Sequence, residues 1–261
     1  MGLGVAAVTY DDPSVLRSFA ADHHIEYPLL ADPASTTIRA FGVLDPDNSE
    51  FNRAGDGSAK RDMAYPGYFA VDRDGIVTAK FFEGIYSDRY TPNNVLEKLF
   101  PTLVGAGGGR IRAPHLSIRL GQSDMVVAPG NRVTLFADIE IPSGVHVYAP
   151  GASHYRALEL VLRPPELFEM RDALLSPARL MEFPALGEKL PVYEGRVRIG
   201  RDLIVPGRSR RFFARLREAP GHSVAFEIPG TLRYQACNAR TCHPPEEVPL
   251  TFTLSVELRD L

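Results

Sequence analysis

Val104-Gly105-Ala106-Gly107-Gly108-Gly109 divides this chain, and the patterns on its two sides decide the fold. A glycine run cradles phosphate only where a strand leads into it and a helix leaves it. Here the helix-like Asn94-Val95-Leu96-Glu97-Lys98-Leu99 leads in and a strand follows, so the run reads as a linker, taken as residues 104–113. Ahead of it, in residues 1–103, strand and helix patterns alternate. Behind it, in residues 114–261, nearly everything reads as strand.

The first part opens on Leu3 to Tyr10, an apolar run expected to be a buried strand. Asp11-Asp12-Pro13 offers an N-cap and a proline in the first turn of a helix over Ser14 to His23, with Val15, Leu16 and Phe19 on one face. Tyr27-Pro28-Leu29-Leu30 is extended, and a second helix runs from Ser35 to Phe41, stopped by Gly42. Asp45 to Arg61 is polar and reads as an exposed insertion. Tyr68 to Asp72 and Ile76 to Phe81 form a hairpin about the Asp74-Gly75 turn. His23 and His24 are adjacent on a helix end, so their side chains diverge, and they read as a solvated terminus rather than a chelating pair.

The second part carries short alternating segments: Leu116 to Leu120, Val133 to Ile139, Leu158 to Leu162, Val197 to Ile199, Phe212 to Leu216, Val224 to Ile228 and Leu250 to Val256. Short strands at regular spacing with proline and glycine turns predict an antiparallel β-sandwich.

Composition sets outer bounds. At 261 residues, 44% hydrophobic and 23% charged, the chain is an ordinary globular sequence of one large or two medium domains. A formal net charge of −3 gives no electrostatic reason to expect nucleic acid or an anionic membrane as partner. No run is long and apolar enough to span a bilayer, and Met1 to Val8 lacks the basic start and cleavage site of a signal peptide.

The chain's two cysteines both lie in Tyr234-Gln235-Ala236-Cys237-Asn238-Ala239-Arg240-Thr241-Cys242-His243-Pro244-Pro245-Glu246. Closing so small a ring removes only about 2 kcal/mol of unfolded-chain entropy, less than a long-range staple gives. A close pair on a proline-held turn suits opening and closing. Arg240 and His243 could each favour a thiolate electrostatically, and Tyr148 or Tyr193 could hydrogen-bond one. The plainer alternatives are a structural hairpin clip, an arginine on a solvated turn and tyrosines filling a sandwich edge. A zinc site is a further rival, but Cys237, Cys242 and His243 supply three ligands where zinc takes four, and His146 or His154 would have to complete it.

Two family resemblances bear on these readings. Tyr27-Pro28-Leu29-Leu30-Ala31-Asp32, Ile38-Arg39-Ala40-Phe41-Gly42-Val43 and Phe69-Ala70-Val71-Asp72-Arg73-Asp74-Gly75 resemble the peroxiredoxin-like branch of the thioredoxin fold, the AhpC/TSA or redoxin group. That resemblance implies an α/β thioredoxin-like domain over residues 1–103, with a cis bond at Tyr65-Pro66 facing its active site. It also implies a cysteine-bearing strand and helix ahead of Leu3, so the chain is expected to be truncated or to begin at an internal methionine. No cysteine precedes Cys237, so peroxidase activity is not expected.

The stretch Tyr234 to Glu246 resembles the N-terminal periplasmic domain of the thiol:disulfide interchange protein DsbD, whose pattern is Tyr-Gln-Gly/Ala-Cys, a turn, then Cys-x-Pro-Pro. It implies an immunoglobulin-like sandwich over residues 114–261 and an extracytoplasmic, periplasmic location. It also implies a redox pair in which Cys242 forms the mixed disulfide and Cys237 resolves it. Val145-His146-Val147-Tyr148 matches the aromatic segment beside that pair, and Glu188 to Gly195, with Val192 and Tyr193, matches its cap loop. The cap departs from the family pattern, placing Leu190-Pro191-Val192 where acidic residues and a phenylalanine are expected. The implied function is electron relay to or from thioredoxin-like proteins or a membrane donor, with no cofactor and no metal. A redoxin-type antioxidant and a non-catalytic interaction module with a structural disulfide are the alternatives.

Overall fold

A computed structural model describes residues 2–44, 64–85, 87–103, 109–184 and 187–258. The expected insertion at 45–61 and residues 104–108 of the expected linker lie outside them. The chain forms two compact units, residues 1–86 and 87–261.

In the first unit, β1 (Ala7–Thr9), α1 (Pro13–Asp22) and β2 (Leu29–Ala31) make a parallel crossover with Ala7 opposite Leu29. Asp32, at the end of the Tyr-Pro-Leu-Leu-Ala-Asp word, accepts the N–H groups of Thr36 and Ile38, both at 2.9 Å, and so fixes the start of α2 (Thr36–Ala40). β3 (Gly67–Val71) and β4 (Val77–Phe82) form the expected antiparallel hairpin. Asp72 Oδ1 accepts from the backbone of Asp74 and Ile76 to shape its turn.

Two expectations for this unit are corrected, the buried opening strand and the cis bond. Only Ala7–Thr9 of the apolar opening run is strand, and Leu3, Val5 and Val8 are exposed. A parallel strand is buried only when both faces are covered, and among the described residues β1 pairs with β2 alone. On α1, Leu16 is buried whereas Val15 and Phe19 are not. The Tyr65–Pro66 bond is trans, not cis. Trans is the default even before proline, and Tyr65 donates its N–H to Val43 at 2.9 Å in an extended lead to β3.

The second unit contains β5 (Arg89–Tyr90), α3 (Pro92–Leu99), β6 (Arg110–Ala113), β7 (Leu116–Gln122), β8 (Val126–Val127), β9 (Asn131–Glu140), β10 (Val145–Tyr148) and β11 (Glu159–Leu162). It continues through β12 (Glu169–Leu175), β13 (Arg179–Phe183), β14 (Glu188–Tyr193), β15 (Arg196–Ile204), α4 (Arg210–Glu218), β16 (Ser223–Tyr234), β17 (Ala236–Asn238) and β18 (Glu246–Glu257). One sheet has the order β12-β15-β9-β7-β6, with β5 parallel to β9; a second has the order β11-β16-β18-β8. Their facing side chains, including Ile118, Leu135, Ile139, Leu160, Ile199, Ile228 and Leu254, share one core. A third sheet, β13-β14-β10-β17, carries the cysteine segment.

β9 explains why the boundary falls at 86 and not 103. Its residues 132–137 are all buried, so both of its faces are covered. Val133, Leu135 and Ala137 enter the core. On the other face α3 is tied down by polar contacts: Asn94 Nδ2 donates to Thr134 Oγ1 at 2.7 Å, and Lys98 pairs with Asp202 at 2.8 Å. Asp202 also takes Arg132 at 2.8 Å and the Thr134 hydroxyl at 2.6 Å. Gly130, at φ 84°, turns the chain into β9 close against the Ser87 carbonyl, and its own carbonyl accepts from Arg89 at 2.7 Å. A Cβ there would collide with the backbone that brings β5 into register.

Phe212 to Leu216, expected as strand, is the helix α4. Ser209 accepts the Phe212 N–H at its start, and Phe212 and Leu216 lie on one buried face. Phe212 packs between Phe168 and Phe226, leaving the arginines outside.

Candidate functional site

Several residues of the cysteine segment have positional roles. Tyr234 is fully buried at the end of β16, and its hydroxyl donates to the Pro114 carbonyl at 2.7 Å; burial pushes its pKa well above the ordinary tyrosine value. Gln235 braces the turn from both sides. Its amide nitrogen donates to the His243 carbonyl at 2.9 Å, and its oxygen accepts the Arg156 N–H at 3.2 Å. Ala236 is small enough to sit in the main core where β17 crosses it. Asn238 closes the turn between the cysteines, its Oδ1 accepting the N–H groups of Arg240 and Thr241, both at 2.9 Å.

Cys237 and Cys242 face each other as an antiparallel bridge and are joined as a disulfide. The two sulfurs meet opposite surroundings: Cys237 is fully buried and Cys242 is exposed. Cys237 lies on β17 directly opposite His146 of β10, with Ala236 opposite Val147. Side chains alternate across a sheet, so Val147, Ala236 and Tyr193 face the large core. Tyr148, Leu190, Val192 and Cys237 gather on the other face, with Ala152 and the half-buried Tyr155, Met181 and Phe183.

On that face the Tyr148 hydroxyl is 3.6 Å from Cys242 Sγ. A disulfide sulfur has no proton, so the phenol is the donor. The Tyr148 ring stacks on Tyr155 at 4.0 Å. Burial, with Tyr155 and Glu188 nearby, pushes its pKa up to about 12, which keeps the hydroxyl protonated. His146 is buried, edge-on to Tyr148 at 5.4 Å and beside Phe183 at 5.4 Å. Its Nε2 is sealed from solvent and makes no hydrogen bond. Burial lowers its pKa, with Glu194 acting to raise it and Arg179 to lower it further.

Of the residues expected around the pair, His146, Tyr148 and Val192 are brought onto its face. Tyr193 is not: it sits one residue past Val192 on β14 and points into the main core, where burial raises its pKa. Arg240 is on the exposed turn. His243 turns to a different neighbour, stacking its ring on His115 at 3.7 Å. The segment expected as a cap loop is the strand β14 of a hairpin, with Leu190 and Val192 buried against Cys237. Tyr155, Phe183 and His115 were not expected here. Phe183 on the preceding strand supplies an aromatic ring to the same face. Among the described residues no three His, Cys, Asp or Glu side chains gather into a metal-binding group.

Residues 1–80 match the AhpC/TSA family. No curated protein matches the chain. Among solved structures it is similar to the reduced DsbD N-terminal domain of Neisseria meningitidis, at 16% identity and a TM-score of 0.30, over 46% of this chain and 75% of that one. The N-terminal periplasmic domain of ScsB from Proteus mirabilis is similar at 13% identity and a TM-score of 0.36, over 58% of this chain and 51% of that one. A complex between the DsbD and PilB N-terminal domains of Neisseria meningitidis is similar at 16% identity and a TM-score of 0.30, over 45% of this chain and 73% of that one. The functional reading therefore rests on the site itself.

Proposed function

We propose that this protein exchanges thiols and disulfides through Cys237 and Cys242, relaying electrons to or from thioredoxin-like partners outside the cytoplasm. The observation that carries the reading is the asymmetry of the pair: Cys242 is an exposed residue and Cys237 a fully buried one. A partner thiolate reaches Cys242, forms the mixed disulfide there and expels the Cys237 thiolate, which stays sheltered and later returns to resolve it. The motif Tyr234 to Glu246 supports the same roles by its DsbD-like pattern, and we take the β-rich unit as an immunoglobulin-like sandwich on the same ground. Among the described residues no helix is long and apolar enough to cross a membrane, so a membrane donor would be a separate chain or segment.

The test is the reduction potential of the pair, by equilibration against defined dithiol buffers. A value between about −120 and −270 mV falls among exchange proteins, whereas one below about −300 mV marks a structural bridge and overturns the reading. In cells, Cys237→Ser is expected to trap partners through Cys242.

The AhpC/TSA match favours a second reading, a redoxin-type antioxidant. The matched stretch holds no cysteine, so peroxide consumption by this chain, measured directly, would be needed to revive it.

A further inference from the structure

Cys237 poses a chemical problem that the exchange reading leaves open. Its sulfur must become a thiolate to displace the partner from Cys242, yet it is buried in apolar surroundings, where a thiol resists ionisation. Leu190, Val192, Ala152, Met181 and Phe183 cannot help, and the Tyr148 hydroxyl is engaged with Cys242 and Tyr155. The side chain directly across the strand pair is His146. Directly opposed residues hold their Cβ atoms about 4.5–5.5 Å apart on one face of the sheet. His146 is 94% buried by its 6% exposure, and its Nε2 has no partner while the disulfide is closed. A buried polar atom without a partner is costly, and this one belongs to the residue paired across the strands with Cys237, on the same face of the sheet.

We propose that His146 Nε2 is the proton-exchanging partner of Cys237, a positioning and acid–base residue that works only in the dithiol and mixed-disulfide states. This rests on the exchange reading above. With the ring protonated at Nδ1, Nε2 accepts the S–H of reduced Cys237. When a mixed disulfide occupies Cys242, Nε2 takes that proton and the Cys237 thiolate attacks Cys242 Sγ. The Cys237–Cys242 bond forms, the bond to the partner breaks, the electron pair leaves on the partner sulfur, and the imidazolium returns the proton to that thiolate or to water. Reduction runs the same steps backwards. Burial lowers the pKa of the ring, and the charged groups around it, Glu194 and Arg179 from the hairpin alongside, pair with each other at 2.6 Å and act on it in opposite senses. Tyr148, on the same strand, stays protonated. A neutral buried imidazole is a base and not a standing cation.

The test reacts reduced protein with a chromogenic nitrobenzoate disulfide, comparing wild type with His146→Phe and His146→Gln across pH. The first coloured thiolate released reports attack by Cys242, and the second reports displacement by Cys237. The expected result is an unchanged first step and a second step slowed about tenfold or more in His146→Phe, the worth of one hydrogen bond to a charged group. Its pH midpoint should move upward. His146→Gln should recover part of the rate but not the midpoint, because an amide does not titrate; if the phenylalanine variant does not fold, that midpoint alone decides. A second step with the same pH profile in the variants as in wild type overturns the role of His146 and leaves the exchange reading standing. Release of only one thiolate by wild type overturns the exchange reading and this assignment with it.

Discussion

The phenolic oxygen of Tyr148 stands 3.6 Å from Sγ of Cys242, the exposed member of the disulfide, while the ring beneath it is stacked on Tyr155 at 4.0 Å. The stack fixes the ring and the hydroxyl reaches the sulfur, so one side chain couples the aromatic face to the disulfide. Held protonated by a pKa pushed up to about 12, the hydroxyl can donate to a thiolate leaving from or arriving at Cys242 throughout the neutral range.

Tyr148→Phe keeps the ring and removes the donor. We expect the reduced pair to lose thiolate character at Cys242 and its first reaction with a small disulfide to slow by up to about tenfold, the range of one hydrogen bond. Stopped-flow rates across pH measure this. Rates equal to wild type at every pH would mean the contact does not act on the sulfur.

The burial difference between the cysteines predicts ordered alkylation. After reduction, iodoacetamide should modify Cys242 well before Cys237. Peptide mass mapping against time reads the order directly. Simultaneous modification would show that the pocket over Cys237 opens freely and that burial does not separate their roles.

Leu190 is 5% exposed and packs against the Cys237 face from β14. Leu190→Ala should cost about 2–5 kcal/mol of stability through the cavity it leaves. It should also abolish the lag before Cys237 alkylation. Denaturant unfolding checks the first expectation and mass mapping the second; a stable variant with the lag intact would place the seal elsewhere.

Asp202 ties α3 to the six-stranded sheet through Lys98, Arg132 and Thr134. Burial alone would raise its pKa, but the Lys98 charge and the hydrogen bonds from Lys98, Thr134 and Arg132 hold it below the ordinary carboxylate value. A carboxylate depressed on folding adds stability above its unfolded pKa and loses it as pH falls through the folded value. Asp202→Ala should therefore cost about 3–5 kcal/mol at neutral pH, the range for removing one partner of a buried ion pair, here the one with Arg132. The deficit should shrink in acid. Denaturation at neutral and acidic pH separates this from a cavity effect, which would be the same at both.

Much of the strand framework was legible because its cause is local. Alternation along Leu116 to Leu120 or Leu250 to Val256 marks a strand with one face buried, and those segments lie in β7 and β18. The Asp74-Gly75 turn marked its hairpin for the same reason. Phe212 to Leu216 misled because two adjacent phenylalanines in a short window look like strand. The signal that corrects it is Ser209, a helix cap three residues ahead of Phe212. The end of the first unit misled because Asn94 to Leu99 reads as a helix without saying what it covers. Its partners, Ser123, Thr134 and Asp202, lie far along the chain.

The amino-acid sequence by itself determined that there is one pair of cysteines, that they are close enough to close a short turn, and that two prolines follow it. Those are matters of spacing and residue type. Only the tertiary structure decided which sulfur is exposed, that His146 stands opposite Cys237, that Tyr193 turns away from the pair while its neighbour Val192 covers it, and that Tyr155 and Phe183 complete the face. Strand register makes that difference. A shift of one residue between β10 and β17 would send His146 and Tyr148 to the opposite side of the sheet, and register is settled by the packing of the whole sheet against the core, not by the segment that carries the cysteines.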